Sequence, residues 1–220
     1  MGNPGFGPLA KSRKGDERVS EILDVTLELL SKQGYAAISL ANVARQANIA
    51  KANVQYYFPT RDQLLRSALE IQVEQLKGLW RKAAGGTDGD PWKKLFRVVD
   101  EDIAICKSDT RTALALEKWA YAARDGKAQD IFRGWHDWVT DLHADILAEL
   151  RPDLSEHERQ LLAVLITSLL EGMWPFFGRS RVRKPGMENF EQQLKQSLRN
   201  LIEGFHGARN DHATTHPADV

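Results

Sequence analysis

Residues Ser39 to Arg61 read SLANVARQANIAKANVQYYFPTR, two short helical patterns joined by a tight turn and closed by a tyrosine pair and a Phe-Pro. Ser39 is placed to cap the first pattern, whose inward residues are Leu40, Val43, Ala44 and Ala47. Asn48-Ile49-Ala50 makes the turn, and Lys51 to Phe58 form the second pattern. A helix that crosses another this closely needs small residues beneath it. Ala44 and Ala47 supply them, and Val54 and Phe58 are the apolar anchors of the second helix. The spacing predicts a helix-turn-helix.

The remainder predicts an all-α protein, because no segment shows convincing strand alternation and nearly every long stretch has helical spacing. A first helix over about 16–32 carries Val19, Ile22, Leu23, Leu27 and Leu30 on one stripe, and Gly34 stops it. Thr60 and Gln63 form a capping box that opens a long helix to about Lys82. Residues 84–89, AGGTDG, make the clearest domain boundary, after which Asp90 and Pro91 restart helix as cap and first-turn proline. Further helices are expected after Asp109 or Thr110, over 127–150, from 156 towards 177 behind a capping box of Ser155 and Glu158, and over about 187–205. The helix from 156 is apolar nearly all round, which calls for burial on more than one side. Pro175 should kink or stop it by removing a backbone donor.

The side chains left outward on the second short helix are Lys51, Asn53, Gln55 and Tyr56. Lysine suits a phosphate or guanine, asparagine and glutamine can pair bidentately with adenine, and tyrosine can donate to phosphate. They stand at the part of a recognition helix that meets base edges. Arg61 opens the following helix, where it can hold the DNA backbone with help from that helix's N-terminal dipole. The formal net charge is zero, yet residues 1–82 carry +4 and the rest −4, with no acid between Glu28 and Asp62. Phosphate binding depends on charge at the docking face, so the distribution outweighs the total. An ordinary helical hairpin with a polar outer face is the plain alternative. The spacing, the turn, the acid-free surface and the YYFPTR ending together favour DNA reading.

The residues about Glu17 to Leu69 resemble the DNA-binding domain of TetR-family transcriptional regulators. The resemblance rests on Gly34-Tyr35, Ile38-Ser39, Val43-Ala44, Ala47-Asn48-Ile49-Ala50-Lys51, Tyr56-Tyr57-Phe58 and Arg61-Asp62-Gln63-Leu64. The YYF ending, with LEKWAYAARD and LLEGMWPF, is similar to the branch that holds the BetI and RutR regulators. By resemblance, Ser39, Tyr56, Tyr57 and Arg61 match positions that touch phosphates, while Lys51, Ala52, Asn53 and Gln55 lie where bases are read. Three positions depart from the pattern: Gln55 stands in place of a tyrosine, Tyr57 of a histidine and Asn48 of the turn glycine. Asparagine tolerates the left-handed conformation, so the turn survives, and Gln55 suggests base readout.

The resemblance also implies a homodimer joined through the last two long helices, a palindromic operator in double-stranded DNA and a small-molecule effector. The expected organisation is a disordered basic arm over 1–15, a DNA-binding domain with its connecting helix over 16–83, a ligand-binding and dimerisation domain over 90–206, and a disordered tail over 207–220. Candidate pocket residues are Cys106, Trp119, Trp135, Trp138, Trp174 and Phe177, with Glu117, His136 and His143 as polar anchors. Tryptophans at helical spacing are usually core, so packing is the plainer reading of each. An aromatic box with Glu117 would hold a cation, and a flat aromatic or acyl ligand fits as well.

The other function classes find less support. No HExxH, GxSxG, SxxK, P-loop or CxxC motif is present, and GNPGFG follows no strand, so no catalytic residue is expected. His136 and His143 with the aspartates nearby lack a convincing metal spacing, and neither a metal nor a cofactor is expected. The single cysteine suits a reducing cytoplasm, and no segment reads as a signal peptide or a bilayer span. The expectation is a cytoplasmic, ligand-responsive DNA-binding regulator, most simply a repressor. A DNA-bound regulator controlled by a protein partner is the alternative, and an all-α enzyme a distant third.

Overall fold

The computed structural model describes residues 13–85, 89–176 and 188–206. The arm before Arg13, the basic loop at 178–186, Phe177 and the tail from Gly207 lie outside them. All regular structure among the described residues is helical: α1 (Arg13–Gln33), α2 (Leu40–Gln46), α3 (Lys51–Tyr57), α4 (Arg61–Ala84), α5 (Pro91–Cys106), α6 (Asp109–Ala122), α7 (Gly126–Leu150), α8 (Glu156–Glu171) and α9 (Phe190–Gly204). Short 3-10 turns follow α1 (Tyr35–Ala37) and α8 (Trp174–Phe176). No described helix is long and apolar enough to cross a membrane.

The helix starts are set by local chemistry. Ser39 Oγ accepts the Asn42 N–H at 3.1 Å, and Asp90 accepts from Trp92 at 2.9 Å ahead of Pro91. Both capping boxes are made, by Thr60 with Gln63 and by Ser155 with Glu158. Each satisfies backbone donors that a helix start leaves open. The stops are less regular. α1 begins at Arg13, three residues before the start expected at 16, with Gly15 the one buried residue of its first turn. α8 ends at Glu171 instead of running towards 177. Gly172 turns the chain there, and Pro175 then lies in a 3-10 turn, where it interrupts no α-helical ladder.

Two apolar clusters organise the packing, and they divide within α4. The first gathers Ile22, Leu30, Val43, Val54, Phe58, Leu64 and Leu65 from α1 to α4, then continues into Leu114, Tyr121 and Ala122 of α6 and Ala128 and Phe132 of α7. The second joins the far half of α4, from Val73 to Trp80, to α5, α7, α8 and α9. Burying a leucine or phenylalanine is worth roughly 1.5–3 kcal/mol. Leu114 and Phe132 therefore make α6 and α7 part of what holds the N-terminal helices together.

α8 has a buried face, Leu162, Ala163, Ile166 and Leu170, and a second apolar face that is open. Leu161, Val164, Leu165 and Leu169 are 40–49% exposed on it. Their spacing of three, one and four residues draws one continuous stripe along the helix.

Candidate functional site

The turn between α2 and α3 closes on the contacts that the small residues allow. Ile49 donates its N–H to Ala44 O at 2.9 Å, and Ala44 and Ala47 are buried under α3. Asn48 is the one non-glycine residue with positive φ among the described residues, at 53°. Val54 and Phe58 point into the head, so α3 turns its other face outward. Lys51, Ala52, Asn53, Gln55 and Tyr56 all lie exposed there, and Tyr57 is half-buried. Tyr56 is 71% exposed and packs edge-on against Tyr57, 5.0 Å between centroids. Ser39, partly exposed at the start of α2, completes the same surface while capping. The surface can donate hydrogen bonds from a cation, two amides and three hydroxyls.

Arg61, expected on a phosphate, bonds within the chain. Its Nε donates to Ile38 O at 2.7 Å and its Nη2 to Tyr35 O at 2.6 Å. The guanidinium also stacks on the Tyr35 ring, 3.8 Å from its centroid. Two of its three nitrogens thus pin the chain between α1 and α2. Tyr35 in turn stacks on Tyr121 of α6 at 5.2 Å.

Glu117, expected in a pocket, faces the head instead. Its Oε2 accepts the Tyr35 N–H at 3.0 Å, a bond between residues 82 positions apart. Gly34, at φ 76°, brings the backbone close enough that a Cβ there would lie 3.0 Å from Glu117 Oε1. The glycine is required twice, for its dihedral and for its lack of a side chain.

Of the expected pocket residues, Trp119 and His136 share one cleft, their ring centroids 5.3 Å apart, and the others lie elsewhere. Cys106 and Trp135 are packed in the second core, and burial pushes the Cys106 thiol up to about 12. Trp135 lies against Trp80 and Trp138, while Trp138 meets the Arg81 guanidinium at 5.2 Å. His143 is fully buried, with Nδ1 2.9 Å from Thr167 Oγ1. That hydroxyl already donates to Ala163 O, so Nδ1 must carry the hydrogen and Nε2 is left a buried acceptor without a partner. Burial lowers the His143 pKa to about 4. Among the described residues no group of three or more His, Cys, Asp or Glu could hold a metal.

Two cavities lie among α1 and α4 to α8. An open cleft of about 800 Å³ lies between α7 and α8, with Trp119 and His136 at one end and Asp137, Asp141 and Glu171 along it. It borders the exposed α8 stripe through Val164. A smaller, partly open inner cavity, about 440 Å³, is walled by α1, α4, α5 and α6, with Trp174 also on its lining. Lys118 and Gln72, both buried, line it. Of the candidate pocket residues, Trp119 and His136 line the first and Trp174 the second, whereas Lys118 and Gln72 were not expected from the sequence. The signal was present for Lys118, which falls on the inward stripe of α6 with Leu114, Ala115, Tyr121 and Ala122.

Comparison with known proteins agrees with this layout. Residues 22–68 match the model of the family described as bacterial regulatory proteins, tetR family. The regulator BetI of Burkholderia ambifaria is 25% identical over 160 residues, covering 71% of this chain and 80% of that protein. The transcriptional repressor KstR of Mycolicibacterium smegmatis is 40% identical over 81 residues, 36% of this chain and 38% of that one. The fold is also that of a transcriptional regulator from Saccharomonospora viridis solved in complex with choline, with a TM-score of 0.69 and 18% identity over 86% of this chain and 96% of that one.

Proposed function

We propose that this chain, a DNA-binding transcriptional regulator of the TetR family, is a homodimeric repressor that a small molecule releases from a palindromic operator. Membership in that family sets the enzyme reading aside.

The observation that carries the reading is the grip of α6 on the head. Glu117 holds Tyr35 N–H from one side of α6, and on the next residue Lys118 lines the inner cavity. A ligand that shifts α6 therefore acts on the segment that leads into α2 and α3. Two packings of that contact, differing in the angle of the heads, make a population shift by ligand possible. The inner cavity suits the role better than the larger cleft, because it touches α1 and α6, the helices that carry the head.

The exposed stripe of α8 supports dimerisation through α8 and α9. Two copies packed on Leu161, Val164, Leu165 and Leu169 would cover surface that one copy leaves in water. Two-fold symmetry then sets the two α3 helices about one DNA turn apart. Lys51, Asn53 and Gln55 read bases in this arrangement, and Ser39, Tyr56 and Tyr57 hold phosphates.

Selection from random duplexes tests the proposal. An inverted repeat with half-sites about ten base pairs apart is expected. Recovery of a single half-site, or of no consensus, overturns it.

A further inference from the structure

The inner cavity has a chemical bias that α6 and α4 create between them. Lys118 is 6% exposed, and none of the described carboxylates lies within 4 Å of its Nζ. The Phe132 ring lies 5.7 Å from Nζ. Glu171 acts on it only through space, with its own carboxylate turned to His136 at 3.8 Å. A buried ammonium with no carboxylate in contact is costly, and desolvation, offset only in part by Glu171, lowers the Lys118 pKa to about 8. Gln72 is buried as well, and its Oε1 has no hydrogen-bond partner. Arg111 adds a second cation at the rim, and no acid lines the cavity. Apart from Gln75, which is exposed, the other walls are apolar: Leu27, Leu76, Leu79, Ile105, Leu114 and Trp174.

We infer that the effector is an organic acid, an apolar body bearing one carboxylate, whose charge is taken by Lys118 Nζ while Gln72 Oε1 accepts from a hydroxyl or amide on the body. This deepens the proposed release mechanism and rests on it. The cavity volume falls in the range of small-molecule sites. A carboxylate there supplies the contact ion pair that Glu171, acting at longer range, does not, and the leucines and Trp174 take the chain or ring. A quaternary ammonium such as choline is disfavoured, since it would bring like charge to Lys118 with no acid on the wall to offset it. The ion pair also forms one residue from Glu117, so ligand binding acts on the helix that grips Tyr35.

The test uses the full chain and four probes below their micellar concentrations: decanoate, 10-hydroxydecanoate, decanol and decyltrimethylammonium. Melting shifts and titration calorimetry are run on wild type, Lys118→Met and Lys118→Arg, with circular dichroism to verify folding. The carboxylates should raise the melting temperature, 10-hydroxydecanoate most, and the ammonium should not. Lys118→Met should weaken carboxylate binding at least tenfold while leaving decanol unchanged, and Lys118→Arg should retain part of it. Equal binding of the ammonium, carboxylate binding indifferent to Lys118→Met, or no binding by either carboxylate overturns the inference. Operator binding is measured alongside. Carboxylates that bind through Lys118 without loosening the operator leave the ligand class standing and overturn the release mechanism instead.

Discussion

Glu117 Oε2 and the Tyr35 N–H, 3.0 Å apart, join the regulatory helices to the DNA-reading head by a charge-assisted hydrogen bond. Removing the acceptor leaves a half-buried donor and loosens the head. Glu117→Ala is expected to lower stability by about 1–3 kcal/mol. It should also blunt the response of operator binding to effector. Urea titration and operator titration with and without ligand check the two effects separately.

On the DNA face, Gln55→Ala should cost roughly 1–3 kcal/mol on the cognate site and relax preference at one base position. Lys51→Ala separates two roles. If Lys51 holds a phosphate, all sequences weaken alike and the salt dependence flattens by about one counter-ion. Binding isotherms over a salt series, on cognate and scrambled duplexes, decide which applies. Unchanged binding in both variants removes these residues from the interface.

Lys118 links the inner cavity to alkaline stability. Its folded pKa, about 8, lies below the ordinary 10.5, so between those values the unfolded chain binds the extra proton. Stability should therefore rise with pH across that window, by roughly 3 kcal/mol at most from this group. Lys118→Met should remove that component and be the more stable form below pH 8. Denaturant midpoints of both proteins across the window test the sign.

His143 works in the acid range. Its folded pKa, about 4, lies below 6.5, so stability should fall as pH drops from 6.5 through 4. The loss reaches roughly 3 kcal/mol, because protonation places a hydrogen on a buried Nε2 that has no acceptor. His143→Gln should flatten this decline, read by melting temperature against pH.

The α8 stripe makes a separate prediction. Leu165→Glu puts a charge at the middle of the exposed face without touching the buried one. Light scattering should report monomers with unchanged helical content, and operator affinity should fall by about a hundredfold or more as the second half-site contact is lost.

The parts of the fold that were legible in the sequence are those decided within a few residues. Ser39, Thr60 with Gln63, Asp90 with Pro91, and Ser155 with Glu158 start helices by bonding to their own first turn. The outward face of α3 was legible for the same reason, because Val54 and Phe58 fix which side is buried. The inner site was not, since its geometry depends on contacts across the chain. Glu117 finds its partner at Tyr35, and Arg61 finds carbonyls at Tyr35 and Ile38. Trp135 and Cys106 meet the ordinary fate of large or soft apolar side chains at helical spacing, which is close packing. Lys118 was readable as a cation on an apolar stripe, but only the fold brings Gln72 and Trp174 round to face the same space.

The first apolar cluster does not stop at the end of α4; Leu114, Tyr121, Ala122, Ala128 and Phe132 complete it from α6 and α7. A fragment severed at Gly85 would carry a raw oily scar where those side chains had been. Its reader is thus no portable cassette. Any chimera that grafts this specificity onto a foreign sensor must bring α6 and the opening turns of α7 along, or rebuild their floor.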